Sequence, residues 1–124
     1  MRRDNYNFLQ GALVHNHQLL FPTVYPDAWP SWFGLPVTVS SRAKFNRDEL
    51  TWYLNEHKIG TRLVFAGNAT KQPFMKGQNY RIHGKLEKTD EVMNNTFWVG
   101  VQPALTREML TYVADTINKF IRDY

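Results

Sequence analysis

Three prolines, Pro22, Pro26 and Pro30, constrain the fold of this sequence more than any other feature. Proline fixes its own backbone torsion, disfavours a helical conformation in the preceding residue and lacks the N–H group that helices and sheets need. We therefore predict that residues 21–31 form an extended connector. The connector divides the chain into an opening helix and a larger body of sheet and helices.

The opening segment, residues 2–20, has the periodicity of a helix. One face of that helix would carry side chains three or four positions apart, namely Tyr6, Leu9, Leu13, His17 and Leu20. Side chains at this spacing lie above one another along an α-helix. We predict one helix over residues 2–20, in which Gly11 is the position least suited to helical structure.

The body, residues 32–124, alternates between strand and helix patterns. Alternating apolar positions predict strands at residues 33–40, 61–65, 96–101 and, more weakly, 80–83. Periodicity and capping residues predict helices at residues 46–60, at 89–95 and from 106 onwards. Helices that alternate with short strands pack on one small sheet. We therefore predict a single α+β domain over residues 1–124, with a mostly antiparallel sheet.

Four positions in the body carry predictions about where elements begin and end. Asn46 and Glu49 have the spacing of a capping box at a helix N-terminus. Gly60 is suited to the left-handed conformation that ends many helices. Pro36 lies in the middle of the first strand pattern, so that strand is predicted to lie at a sheet edge or to break early.

The composition excludes several classes of protein. The 124 residues fit one domain and contain no cysteine, which excludes a disulfide framework and a thiolate metal site. The net charge is +4, but basic residues are spread among acidic ones, so no nucleic-acid partner is predicted. No apolar run reaches membrane-spanning length and no signal-like segment opens the sequence, so we predict a cytoplasmic protein without membrane contact. His15 and His17 would point in different directions on a helix, so no shared metal ion is predicted.

Four motifs follow one another along the body. They are Pro-Ser-Trp-Phe-Gly at 30–34, Ile-Gly-Thr-Arg-Leu-Val-Phe-Ala-Gly-Asn at 59–68, Gln-Pro at 72–73 and Asn-Thr-Phe-Trp-Val-Gly at 95–100. Together they resemble the C-terminal part of the NDP-4-keto-6-deoxyhexose 3-dehydratases of lipopolysaccharide biosynthesis. That group lies in the sugar aminotransferase branch of the aspartate aminotransferase superfamily (fold type I). Arg2, Arg3 and Asn5 are similar to the helix that joins the two domains of those enzymes, so the resemblance covers nearly the whole chain and implies their small C-terminal domain.

The resemblance implies a chemistry as well as a fold. Family members use pyridoxal or pyridoxamine phosphate (PLP or PMP) to remove the 3-hydroxyl of a nucleotide-linked 4-keto-6-deoxyhexose. They are typically dimers, and the dehydratases have a histidine base where the aminotransferases have lysine. That base, the acid that pairs with the pyridine nitrogen and most of the phosphate-binding groups belong to a large domain that this sequence does not match. The chain alone is therefore expected to have no catalytic residue, to bind no PLP or PMP, and to require the large PLP-binding domain and a homo-oligomeric partner.

Five residues within the motifs are candidates for contact with a nucleotide sugar in the parent enzyme. They are Arg62, Asn68, Phe65, Trp32 and Phe33. The Arg62 guanidinium suits a phosphate or a sugar oxygen, and Asn68 follows a glycine that lets the backbone approach a ligand. The aromatic side chains suit the wall of a sugar or nucleotide site. The alternatives are a surface arginine, a turn asparagine, and aromatic residues of the core or of an interface.

Other residues near the motifs are predicted to have structural roles. Thr96 and Trp98 are predicted to serve sheet packing, and His57 to be a satisfied residue at the core boundary. Relatives often carry a basic residue in the segment where this sequence has Asn94 and Asn95, so the resemblance does not imply full substrate recognition by this chain.

Three interpretations of function remain open from the sequence. The parent enzyme is a 3-dehydratase for a CDP- or GDP-linked sugar, or else a sugar aminotransferase, because the base that decides between them lies outside the chain. The third interpretation is a free-standing module that binds nucleotide sugars or dimerises. For dimerisation, the apolar side of the opening helix and residues 29–33 are predicted to be exposed.

Overall fold

Four α-helices pack on a four-stranded sheet in the computed structural model, which describes all residues from Met1 to Tyr124. The helices are α1 (Arg2–Leu13), α2 (Arg47–Glu56), α3 (Glu87–Asn95) and α4 (Arg107–Asp123). The strands are β1 (Leu19–Leu20), β2 (Gly34–Val39), β3 (Thr61–Leu63) and β4 (Thr96–Gly100). Their order in the sheet is β1-β2-β4-β3, and every neighbouring pair is antiparallel. The predicted α+β class and antiparallel sheet are confirmed.

One face of the sheet forms the core of the domain. Leu35 is paired with Val99 and Val37 with Phe97, so these four side chains emerge on the same face. Each of them is at most 1% exposed. Helices α1, α2 and α4 cover this face with their own buried apolar side chains. The opposite face of the sheet is left for α3 and for a groove.

The opening helix ends at Leu13 rather than at residue 20. Asn16 forms a turn, because its N–H donates to Leu13 O and its side-chain oxygen accepts from the Gln18 N–H. Asparagine favours turns of this kind, since its short side chain can replace a backbone acceptor two residues away. The chain then enters β1, which pairs with the end of β2. The prediction of helix beyond Leu13 is wrong, because this local turn outweighs the helical spacing of the later leucines.

The apolar side of α1 belongs to the core. Tyr6, Leu9 and Leu13 are at most 1% exposed, and α1 packs against α4 and β2. The expectation that this face is exposed is therefore wrong, because the domain's own sheet and last helix cover it. The other half of that expectation holds in part, since Trp29 and Phe33 are exposed.

The N-terminal caps follow the sequence closely. The Glu49 N–H donates to Asn46 Oδ1 at 2.9 Å, and the Asn46 N–H donates to Glu49 Oε2 at 2.7 Å, so the predicted capping box is confirmed. The Thr106 hydroxyl accepts from the Met109 N–H at 3.2 Å and begins α4 as predicted.

The end of α2 differs from its prediction. The helix ends at Glu56, and Lys58 adopts the left-handed conformation, with φ of +62°, that was expected of Gly60. His57 is half-buried and its Nδ1 lies 2.8 Å from Tyr53 O, so its predicted role at the core boundary is confirmed.

Pro36 lies within β2, which is an interior strand. The pairing to β4 is unbroken, since Pro36 is opposite Trp98. The Ser40 N–H donates to Gln18 O on the β1 side. Backbone N–H groups of alternate residues in a strand point the same way, so positions 38 and 36 also face β1. The missing donor of Pro36 therefore faces the β1 side, where β1 reaches only as far as Thr38. The predicted edge position is therefore correct only for the first half of β2, before Thr38, where β1 does not pair with it. The predicted early break does not occur.

Residues 21–31 and residues 80–83, which carried separate predictions, both lack helix and strand. The connector, residues 21–31, has no regular element apart from a turn, as the prolines predict. Residues 80–83 also form no strand, contrary to the weaker prediction, and Tyr80 and Ile82 are exposed. A short apolar run without a neighbouring strand gains no hydrogen-bonded partner.

None of the helices has the length and apolar character needed to cross a membrane.

Candidate functional site

An apolar groove of about 530 Å³ lies on the face of the sheet opposite the core. Its floor is the outer face of β2 and β4, and its walls come from the connector, from α3 and from the segment after β3. Five aromatic side chains line it: Phe21, Trp32, Phe33, Phe65 and Trp98. Its polar members are Thr38, Thr96, Lys88 and Glu91. Sites for small molecules have this composition, with aromatic walls and a few polar groups.

Three of the five predicted site residues meet in this groove. Phe33 packs on Trp98, with ring centroids 4.9 Å apart and planes at 60°. Trp32 stacks on the buried Tyr6, with centroids 4.8 Å apart and planes at 10°. Trp32 therefore packs against α1 and also forms part of the groove wall. Phe33 leaves the predicted alternation, because it points to the groove while the later apolar residues of β2 point to the core.

Gly34 permits the close approach of Trp98 to the start of β2. A Cβ atom at position 34 would lie 2.3 Å from Trp98 Cε3 and 2.8 Å from Val99 O. Contacts this short do not occur between real atoms, so any side chain here would displace the indole ring. Glycine at this position therefore allows the Trp98 ring to lie against the sheet, where Phe33 packs on it.

Phe65 stands at the mouth of the groove in an unusual backbone conformation. Its φ is +39°, and its side chain is 85% exposed although it is a large aromatic group. Left-handed backbone is uncommon for a bulky residue and costs free energy. Backbone strain of this kind occurs preferentially at ligand-contacting positions, so Phe65 is a candidate for contact with a ligand.

Arg62 does not line the groove but lies on the same face of the sheet. It is the cross-strand partner of Trp98, and cross-strand partners emerge on the same side. Its side chain is exposed, and its recorded contact within the chain is from Nη1 to Thr61 O at 3.2 Å. The guanidinium is therefore available to an anionic group that extends from the groove across the edge of the sheet.

Asn68 is buried and its amide is used within the chain. Its Nδ2 donates to Asp90 Oδ1 at 2.7 Å, and its Oδ1 accepts from the Thr70 N–H at 3.1 Å and from the Thr70 hydroxyl at 2.7 Å. Only 2% of the residue is exposed. Asn68 thus shapes the segment that carries Phe65, and it does not itself reach the groove.

The polar groups of the groove occur in two pairs. The hydroxyl oxygens of Thr38 and Thr96 lie 2.8 Å apart across β2 and β4. Lys88 Nζ lies 2.8 Å from Glu91 Oε2 on the exposed side of α3. The hydrogen bond to Glu91 raises the pKa of Lys88 above its ordinary value, so the ion pair stabilises the charged form of the amine. The groove therefore offers a cation and hydroxyl groups beside its aromatic walls.

These groups do not fit a site that anchors PLP or PMP by itself. The lysine of the groove, Lys88, is exposed and paired with Glu91, which raises its pKa and so reduces the neutral fraction of the amine that could attack an aldehyde. No other basic side chain lines the groove to hold a phosphate. No group of three histidine or acidic side chains is placed to bind a metal ion.

Sequence reasoning missed several members of this site. Trp98 was assigned to sheet packing alone, and Thr38 was not singled out. Both alternate with core residues along their strands, so strand pairing would have placed them together on the outer face. Lys88 and Glu91 carried no local signal, because their position depends on how α3 packs against the sheet.

Comparison with known proteins shows close sequence relatives. The chain is 42% identical over 120 residues to the lipopolysaccharide biosynthesis protein RfbH of Salmonella typhimurium (strain LT2), a match that covers 96% of this chain and 28% of that protein. It is also 42% identical over 120 residues to the dTDP-4-dehydro-2,6-dideoxy-D-glucose 3-dehydratase of Saccharopolyspora spinosa, covering 97% of this chain and 26% of that enzyme. The chain thus spans little more than a quarter of the length of these relatives.

The fold is that of a known class of enzyme. The structure of E. coli GDP-4-keto-6-deoxy-D-mannose-3-dehydratase with bound hydrated PLP superposes with a TM-score of 0.85 at 20% identity, over 94% of this chain and 30% of that chain. Residues 1–118 match the sequence pattern described as the DegT/DnrJ/EryC1/StrS aminotransferase family. The chain belongs to the DegT/DnrJ/EryC1/StrS aminotransferase family.

Proposed function

We propose that this chain is the small domain of a PLP- or PMP-dependent sugar-nucleotide 3-dehydratase of deoxysugar and lipopolysaccharide biosynthesis. The observation that carries the proposal is the aromatic groove, in which Trp32, Phe33 and Phe65 meet beside Arg62. The chain is 42% identical to a relative named as a 3-dehydratase, and this similarity favours dehydration over transamination as the reaction of the parent enzyme.

The groove residues have complementary roles in holding a nucleotide sugar. Phe33, Phe65 and Trp98 provide flat apolar faces for a base or for a sugar ring, and Arg62 provides a forked donor for a phosphate. Lys88 also lines the groove, where its charge is paired with that of Glu91. In this proposal the chain binds and orients the substrate, and the proton transfers belong to residues outside this sequence.

The site requires partners to be complete. PLP or PMP supplies an electron sink when bound, and we propose that the large domain anchors it, since the groove lacks the groups for that task. A homo-oligomeric arrangement, with the groove facing the cofactor of the same or a neighbouring subunit, would enclose the exposed Phe65 and Trp29. The isolated chain would then be inactive.

The binding role is tested by titrating the isotope-labelled chain with CDP-glucose and GDP-mannose at millimolar concentration, followed by NMR. We expect chemical-shift changes at the Trp98 indole and at the amides of Arg62 and Phe65. Unchanged signals at all three positions would remove the proposed binding role. The nucleoside and the free sugar serve as probes for which half of the ligand is held.

The requirement for the large domain is tested by mixing the chain with PLP. We expect the visible absorption of PLP to stay that of the free aldehyde, because Lys88 is exposed and its pairing with Glu91 raises its pKa, which reduces the neutral amine that forms an aldimine. A stable aldimine band that disappears in Lys88→Met would contradict the proposal that the cofactor is anchored elsewhere.

A further inference from the structure

Asp90 on α3 is the centre of a polar cluster beside the groove. Its Oδ1 accepts a hydrogen bond from Asn68 Nδ2 at 2.7 Å, and its Oδ2 pairs with Lys71 Nζ at 2.8 Å. The same Asn68 caps the short turn Ala69–Lys71 through the Thr70 N–H. One carboxylate therefore joins α3 to two positions of the segment that follows β3, and charge-assisted bonds of this kind are the stronger ones in proteins.

A second contact joins the same two parts of the chain. Gly67 has φ of +59°, and a Cβ atom at this position would lie 2.3 Å from Met93 Cγ, so the backbone lies directly against α3. Within the segment, the Gly67 N–H donates to Val64 O at 2.8 Å and Gln72 Nε2 donates to Ala66 O at 2.6 Å. The 64–72 segment is thus a tight loop whose position depends on α3.

Phe65 occupies the strained position of this loop. A left-handed aromatic residue persists only where its surroundings determine the backbone on both sides. On one side Phe65 follows β3, and on the other the loop is held by Asn68, three residues later. The Phe65 ring is exposed and stacks on no other aromatic ring. Its location at the mouth of the groove therefore depends mainly on the backbone conformation.

We infer that Asp90 is a positioning residue of the groove, which holds the 64–72 segment against α3 and thereby fixes Phe65 for contact with a nucleotide sugar. The inference deepens the proposed function and rests on it for the identity of the ligand. It does not require Asp90 to touch the ligand, because the carboxylate is occupied by Asn68 and Lys71. Without the carboxylate, the loop would populate other conformations, and the apparent affinity would fall in proportion to the fraction of chains that remain competent.

The test compares the chain with its Asp90→Ala and Asp90→Asn variants. We expect faster hydrogen exchange at the Gly67 amide in both variants, whereas amides in α4 exchange as before. We also expect the dissociation constants for CDP-glucose and GDP-mannose to rise about tenfold in Asp90→Ala, as for a competent conformation populated at about one tenth. Asp90→Asn keeps the size of the side chain. If the alanine variant folds poorly, exchange and affinity are compared between the asparagine variant and the unaltered chain.

Two further variants make the result specific. Glu87→Gln removes an exposed carboxylate from the same helix, whose nearest cation is Lys85 at 4.0 Å, and it should change neither exchange nor affinity. Lys71→Met removes the ion pair but retains the bond between Asn68 and Asp90, so its effect should be smaller than that of Asp90→Ala.

The outcomes separate this inference from the proposed function. Unchanged exchange at Gly67 in both Asp90 variants would overturn the inference, whether or not the chain binds a ligand. Exchange that rises without any loss of affinity would overturn it too, because the loop would then not matter for binding. Absence of binding by the unaltered chain would instead refute the proposed function, with the exchange data still reporting on the loop.

Discussion

Arg62 on β3 is the direct cross-strand partner of Trp98 on β4. The guanidinium therefore emerges beside the indole ring that forms the floor of the groove, although Arg62 itself lies at the sheet edge. A flat aromatic surface with a forked donor next to it is suited to a ligand that joins a ring to a phosphate.

Replacement of Arg62 is expected to weaken binding of nucleotide sugars. A hydrogen bond to a charged group contributes about 1.5–3 kcal/mol, so Arg62→Ala should raise the dissociation constant of GDP-mannose by about tenfold or more. Arg62→Lys should restore only part of the affinity, because lysine keeps the charge but not the fork. Calorimetric titration measures both, with Arg122→Ala on α4 as the control. Equal affinity in Arg62→Ala and in the unaltered chain would exclude contact with the phosphate.

Substitution of Gly67 is expected to destabilise the domain. Gly67→Ala adds a Cβ at φ of +59° and 2.3 Å from Met93 Cγ, so we expect a loss of about 1–3 kcal/mol in the free energy of unfolding. Gly11→Ala is the matched control, because it lies in the last turn of α1 and its Cβ would meet nothing within 4 Å. That control should gain at most about 0.5–1 kcal/mol, the value for the middle of a helix, since alanine favours a helix over glycine. Urea unfolding of both variants gives the comparison, and equal stabilities would show that the loop adapts to a side chain.

The burial of α1 predicts that the opening helix is needed for folding of this domain. Leu9 has no exposed surface, so Leu9→Ala should cost about 2–5 kcal/mol of unfolding free energy. Val14→Ala, at a half-exposed position just after the helix, should change the stability by less than about 0.5 kcal/mol. Thermal unfolding followed by circular dichroism distinguishes the two. A small effect at Leu9 would mean that α1 is not an essential part of the core.

Acid should weaken the attachment of the 64–72 segment. The hydrogen bonds from Lys71 and then from Asn68 lower the pKa of Asp90 in the folded chain. A carboxyl group whose pKa is lower in the folded than in the unfolded state stabilises the fold above its ordinary pKa, and this stabilisation is lost as the pH falls through the folded value. We therefore expect the unaltered chain to be more stable than Asp90→Asn at pH 7, with the difference closing below about pH 4.

Unfolding in urea at several pH values tests this expectation. Every other carboxyl group is present in both proteins, so contributions from those groups cancel in the difference. A difference between the two proteins that does not depend on pH would show that the Asp90 charge is not coupled to folding.

Local signals in the sequence predicted the elements whose ends are held by nearby side chains. The capping residues Asn46 and Thr106 were identified correctly, because their partners lie three residues away. The end of α1 was missed, since the turn at Asn16 competes with a helical spacing that continues by coincidence. Helical periodicity alone does not reveal which of the two prevails.

The groove was predicted only in part, for a related reason. Trp32, Phe33 and Phe65 lie within recognisable motifs, but their meeting point depends on the pairing of β2 with β4. Asn68 was interpreted as a ligand contact, whereas its partner Asp90 lies 22 positions further along the chain. Interactions over such separations depend on how α3 packs, which the local sequence around Asn68 does not reveal.

Pro36 has a consequence for the behaviour of the chain in concentrated solution. The first half of β2 has an open side beyond the end of β1, and an open strand with free N–H groups can recruit a strand from another molecule. Pro36 removes the donor from the centre of that open side, while the pairing with β4 is kept. A single residue therefore leaves this open side without a donor that an added strand would need, while the pairing of β2 with β4 is kept.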